Sequence, residues 1–147
     1  MTKAATLLSA TALCTVGSLG IGTATASAAT PDAQASMVQG QVTLVQSSGG
    51  NYWHLVAAGG AGEAIWSQDP ANGDPGDALR AYDGLADGLG IHAYLSDGRM
   101  ASTAGHASPY YSPWVTGDLP EGNWYRMTVC TEKSGVDISC YYADVQA

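Results

Sequence analysis

The chain has 147 residues and carries 5 Lys and Arg against 13 Asp and Glu, a formal net charge of -8. That length allows one full hydrophobic core and not two. The charge excludes nucleic acid and anionic membrane surfaces, which need a basic face, and a hydrophobic content of 46% excludes a disordered tail.

Residues 1–29 (MTKAATLLSATALCTVGSLGIGTATASAA) read as an export signal. Lys3 supplies the positive start, an apolar run follows, and Ala26-Ser27-Ala28 is an A-x-A cleavage signal, with the cut after Ala28 or Ala29. Ser9, Thr11, Thr15, Gly17 and Ser18 interrupt the run and no basic cluster follows it, which argues against a membrane anchor. Cys14 sits inside the run behind Leu13, where lipid attachment would need a small residue. The mature chain is therefore expected to be secreted, extracellular and free of the membrane after cleavage. It keeps two cysteines, Cys130 and Cys140, which admit one intrachain bridge.

Residues 30–36 (TPDAQAS) are expected to form a flexible leader to one domain spanning 37–147. Residues 37–46 read as a single strand, and 47–50 (SSGG) as a turn. Residues 51–57 (NYWHLVA) are aromatic and branched, which predicts a strand. Residues 58–62 (AGGAG) are a flexible link without the GK[ST] of a phosphate loop, and 63–68 fit either a helical turn or a short strand. Residues 69–77 (DPANGDPGD) are a loop on composition, and 83–90 (DGLADGLG) a second one. Strands are expected at 78–82 and 91–95, the latter followed by a turn at Ser96-Asp97-Gly98-Arg99. Residues 100–117 are less regular, with a brief strand at Trp114-Val115. No mature window sustains a capped helical period, so the expected class is all-β, a sandwich or small barrel.

The sharpest pattern is C-terminal. Residues 123–132 (NWYRMTVCTE) and 136–146 (VDISCYYADVQ) flank a turn containing Ser134-Gly135. If Cys130 faces Cys140, then Tyr125 faces Val145, Met127 faces Ala143 and Val129 faces Tyr141 on an apolar side. The other side pairs Arg126 with Asp144 and Thr128 with Tyr142. Bridge, core face and charge pair agree on one register. A bridge between sheets is the alternative; the short separation of the cysteines favours the hairpin.

The run Asp118-Leu119-Pro120-Glu121-Gly122-Asn123-Trp124-Tyr125 resembles the entry to the penultimate strand of immunoglobulin-like and fibronectin-like domains. That resemblance implies a small immunoglobulin-like β-sandwich in which Tyr125, or Trp124 in its place, makes a tyrosine corner. It implies a fold and not a function. The chain lacks the long Cys…Trp…Cys spacing of antibody domains. Residues 82–91 (YDGLADGLGI) and 118–130 also resemble segments of small exported proteins of actinobacteria, Streptomyces and relatives. Those often carry a cysteine near the first segment, where this chain has Arg80-Ala81-Tyr82, and they imply no activity.

Candidate chemistry can be weighed by group. Asp69, Asp74 and Asp77, with Asn72 beside them, and Asp83 and Asp87 in the next loop, offer the oxygen ligands that calcium prefers. The intervening strand would hold the two loops roughly 17 Å apart, and Tyr94 stands where an EF-hand needs Glu. Aspartates also make turns by bonding back to local backbone. Calcium is thus the one cofactor candidate, and otherwise no cofactor is expected. His54, His92 and His106 lack zinc-ligand spacing. Ser102, Ser108 or Ser112 with His106 and Asp97 or Asp118 would compose a hydrolase triad, but no G-x-S-x-G is present. Paired carboxylates for sugar hydrolysis stay open, and the single bridge fastens no inhibitor-type loop. Tyr110, Tyr111 and Trp114 cluster in 106–114 (HASPYYSPW), where Pro109 and Pro113 break any ladder. Loop aromatics suit a sugar or protein surface, and with Phe absent they also suit the core. The reading is a secreted, monomeric or weakly associating, non-catalytic protein that binds an extracellular protein or polysaccharide or sits at the cell envelope. The alternatives are a calcium-stabilised module or a very small hydrolase.

Overall fold

The computed structural model describes residues 34–39 and 42–147. The expected export signal and the first residues of the expected leader lie outside them. The described chain forms strands β1 (Gln34–Gln39), β2 (Val42–Gln46), β3 (Tyr52–Val56), β4 (Gly62–Ser67), β5 (Ala78–Asp83), β6 (Gly90–Leu95), β7 (Met100–Ser102), β8 (Tyr110–Tyr111), β9 (Val115–Thr116), β10 (Trp124–Lys133) and β11 (Val136–Gln146). All pairings are antiparallel. The larger sheet runs β1-β2-β3-β4-β5, with β8 and β9 sharing the far side of β5. The smaller runs β11-β10-β6-β7. The fold is all-β, two packed antiparallel sheets with the Cys130–Cys140 bridge in the terminal hairpin.

One sequence expectation changes, and one open choice is decided. The single strand over 37–46 is a hairpin, β1 against β2, and β1 begins at Gln34 inside the expected leader. Pairing gives that backbone its partners, which an extended leader would have to find in water. Of the two readings of 63–68 the strand is the one formed, with β4 ending at Ser67, because β4 lies between β3 and β5 with partners on both sides. The link before it is a short 3-10 turn, Ala58–Gly60, with Gly59 at φ 78, a left-handed conformation suited to glycine.

Period-two alternation sends Leu44, Leu55, Ala64, Trp66, Leu79 and Ala81 inward from the larger sheet. Ile91, Ala93, Leu95, Met127, Val129 and Val145 face them from the smaller. Five of these are Ala or Val. Trp66 supplies bulk among these small side chains; it is fully buried, and its indole N–H donates to the Gln146 carbonyl at 2.9 Å. Space at one seam is so tight that a Cβ on Gly62 would lie 2.2 Å from the Tyr82 carbonyl oxygen and 2.5 Å from Ile91 Cγ1.

In the terminal hairpin the expected register holds from Trp124↔Gln146 to Thr131↔Ser139. Met127, Val129 and Val145 are buried, and Arg126 meets Asp144 at 3.4 Å on the outer face. Beyond Thr131 the register shifts: Glu132 pairs with Asp137 and Ile138 is left over as a bulge. A bulge re-aims the side chains beyond it. Here it moves Asp137 onto the outer face, beside Glu132.

Candidate binding surface

Alternation along β5 sends Arg80 and Tyr82 to the outer face of the larger sheet. β8 sets Tyr111 opposite Tyr82, whereas β9 pairs only with Ala78 and Leu79. The gap falls at Pro113, which cannot donate to a ladder. Ser112 fills it: its N–H donates to the Ala81 carbonyl, and its hydroxyl oxygen accepts the Ala81 N–H, each at 2.9 Å. The break brings Trp114 to the same side as Tyr111, where regular alternation would have put it opposite.

The four side chains form a stack. Tyr82 and Tyr111 lie 4.1 Å apart at 24°. The Arg80 guanidinium carbon sits 4.6 Å from the Tyr111 ring centre and 4.2 Å from that of Trp114. Arg80 is thereby held between two aromatic faces, a favourable cation–π arrangement. Trp114 is pinned by its indole N–H, which donates to Asp74 Oδ1 at 3.0 Å, and Tyr52 donates to Asp74 Oδ2 at 3.1 Å. The same Tyr52 proton is shared with the Ala71 carbonyl at 2.9 Å, so the aspartate-rich loop is tied across the outer face of the sheet. Burial and the bond to Asp74 raise the Tyr52 hydroxyl above its ordinary pKa. His54 and Glu63 pair at 2.8 Å on the same face.

Among the described residues the Arg80 side chain has no hydrogen-bond acceptor, and its Nε is buried. An unpaired buried donor costs about 1–3 kcal/mol. The chain's other two arginines differ. Arg99 pairs with Asp97, and Arg126 lies over Tyr142 while pairing with Asp144.

The sequence-predicted aromatic trio is divided. Tyr111 is half exposed and belongs with Trp114 in the stack. Tyr110 instead stacks on His106, 3.9 Å away at 7°. His106 borders a groove of about 730 Å³ lined also by Gly88, Gly90, Ser108, Glu132 and Gly135. Ser108 donates to Asp83, Ser102 accepts the Ala104 N–H, and Ser112 serves Ala81. No serine among the described residues bonds to His106.

The five loop aspartates take separate duties. Asp69 is exposed. Asp74 holds Trp114 and Tyr52. Asp77 accepts the Leu119 N–H at 2.8 Å, with its other oxygen buried and unbonded. Asp83 accepts from Leu85 and Ser108, and Asp87 from Leu89. Among the described residues, three ligand-type atoms come within 4.8 Å of one another only at Cys130, Asp137 and Cys140, and there the sulfurs are bonded to each other.

Beside that bridge lies a polar cluster that sequence reasoning missed. His92, buried on β6 opposite Cys130, places Nδ1 2.7 Å from Asp137 Oδ1. Tyr94 donates to Asp137 Oδ2 at 2.9 Å. Burial first, then that bond and the charges of Asp137 and Glu132, push the Tyr94 hydroxyl up to about 12. His92 and Tyr94 share a face by simple alternation, which the sequence displays. Their acid partner is reached only through the bulge, which it does not.

Comparisons with protein-family models, with curated proteins and with solved structures found no match to this chain.

Proposed function

We propose that this chain is an exported, non-catalytic binding protein that engages an extracellular glycan through the stack on the outer face of its larger sheet. One observation carries the reading: Tyr82, Tyr111, Arg80 and Trp114 are ordered into a rigid array that leaves Tyr111 half exposed. Rings fixed before binding lose little freedom on binding. The export signal read from residues 1–29 and the single bridge support placement in an oxidising compartment. We restrict the immunoglobulin-like resemblance to the sandwich architecture and the terminal hairpin. Strands β1 to β5 follow one another as a meander, a different wiring from the Greek key of those domains.

The test is a binding screen of the mature, bridged protein against soluble glycans, followed by Tyr111→Ala and Trp114→Ala. Binding that both variants weaken supports the reading. Binding that both leave unchanged places the surface elsewhere.

A further inference from the structure

Resting on that reading of the stack, we propose that Arg80 is a carboxylate receptor and that the ligand is a uronic acid, a sugar ring bearing one carboxylate. Among the described residues no carboxylate pairs with Arg80, whereas Arg99 and Arg126 each have an aspartate. The guanidinium is already clamped by Tyr111 and Trp114, at 4.6 and 4.2 Å. Its Nε is sealed in without an acceptor. Among the described residues no acceptor meets its terminal Nη groups, and they are not among the buried unpaired atoms as Nε is, so the fork remains for an outside partner. Guanidinium and carboxylate meet edge to edge in a planar, bidentate pair. A guanidinium sandwiched between two rings presents that edge between the ring planes. A flat anionic group can enter there in a single orientation.

The surroundings narrow the ligand further. Glu63 and Asp74 lie near the stack, and the whole chain stands at -8. Such a field repels a densely charged polymer and tolerates an isolated carboxylate. The rings of Tyr111 and Trp114 flank the guanidinium, and half-exposed Tyr111 suits the apolar face of a pyranose. A uronate meets both demands, a fork partner and a ring.

The experiment is a titration of the bridged protein with sodium glucuronate and, separately, with glucose, which differs by the carboxylate alone. It is followed through the Trp114 indole N–H resonance in a nitrogen–proton spectrum. N-acetylaspartate, an acid without a sugar ring, is the third probe. Glucuronate should shift the resonance, and glucose should do so about tenfold less effectively. Arg80→Met should abolish the response, and Arg80→Lys, which keeps the charge and loses the fork, should weaken it about tenfold. Thermal melts establish that both variants fold. Equal response to glucose and glucuronate, untouched by Arg80→Met, overturns the carboxylate assignment and leaves the glycan surface standing. A tighter response to N-acetylaspartate overturns the sugar. Silence of the Trp114 resonance toward both sugars overturns the binding surface and the receptor with it.

Discussion

Arg99 is a strut whose loss should be measurable. Its side chain is 11% exposed and that of its partner Asp97 16%, with Nε and Oδ2 2.5 Å apart. Nη1 donates to the Asp77 carbonyl, and the guanidinium lies 5.4 Å from the Trp66 ring centre. Gly117 leaves it room: a Cβ there would come 2.9 Å from Arg99 Cζ. The residue thus joins the β6–β7 turn to the start of β5, and through Asp77 to Leu119. Arg99→Met keeps most of the stem but strips Asp97 of its partner and the Asp77 carbonyl of its donor. Breaking a fully buried pair costs about 3–5 kcal/mol, and an exposed one about 0–1 kcal/mol. For side chains mostly but not wholly covered, with one carbonyl also unbonded, the sum falls at about 2–4 kcal/mol. Urea unfolding at neutral pH measures it, with slope unchanged and midpoint lowered. Asp97→Asn in the Arg99→Met background should recover about 1 kcal/mol, because the stranded charge is what hurts. A loss below about 0.5 kcal/mol, the range of an ordinary surface change, would refute the strut.

Four further outcomes are expected. Because the native state holds the Tyr94 proton more tightly than the unfolded chain, this group's stabilisation is full below pH 10.0 and disappears as pH rises toward about 12. The urea midpoint should therefore fall more steeply across that interval in the wild type than in Tyr94→Phe, and parallel curves would count against the Tyr94–Asp137 bond. Replacing both Cys130 and Cys140 by Ser should cost about 2–3 kcal/mol, the loop-closure value for a separation of ten residues; a change near zero in chemical denaturation would contradict it. Gly62→Ala meets backbone at 2.2 Å and should lose about 2–3 kcal/mol. Gly90→Ala meets the end of the Glu132 side chain, which can turn aside, and should lose less than half as much; the reverse order in denaturant midpoints would show the seam misjudged. Melts in millimolar calcium and in EDTA should superimpose, since Asp74, Asp77, Asp83 and Asp87 already accept N–H or O–H donors. A rise of several degrees would establish a calcium site.

Sequence legibility followed the range of the interactions. The terminal hairpin was readable because three independent demands met in one register, the bridge, the apolar face and the Arg126–Asp144 pair. Turns with Gly at positive φ, such as Gly49 and Gly98, announced themselves locally. The β1–β2 hairpin was not readable, because the sequence between the strands (Gly40-Gln41) carries no Asn-Gly or Asp-Gly signal and the apolar phase around it is blurred. The aromatic stack was half readable. Tyr111 and Trp114 stood out between two prolines, but Tyr82 and Arg80 joined them through strand pairing between residues far apart in the chain.

The two outer-face clusters share one hidden cause, a single residue of phase. Pro113 breaks alternation, so Trp114 joins Tyr111 on the outer face instead of leaving it. Ile138 does the same on β11, where the register shift delivers Asp137 to His92 and Tyr94. Uninterrupted alternation would have set Asp137 against the inner face, where an unpaired carboxylate is costly. The half-exposed Ile138 side chain is the visible trace of that choice, at 58% exposure in a strand whose regular neighbours alternate. Period-two reading therefore works up to each irregularity and inverts beyond it. In this chain both inversions lead to the polar and cationic clusters that decorate the outer faces. A Gly or Ala at 113, free to continue the ladder, should separate Trp114 from Arg80 and leave the guanidinium with one aromatic wall.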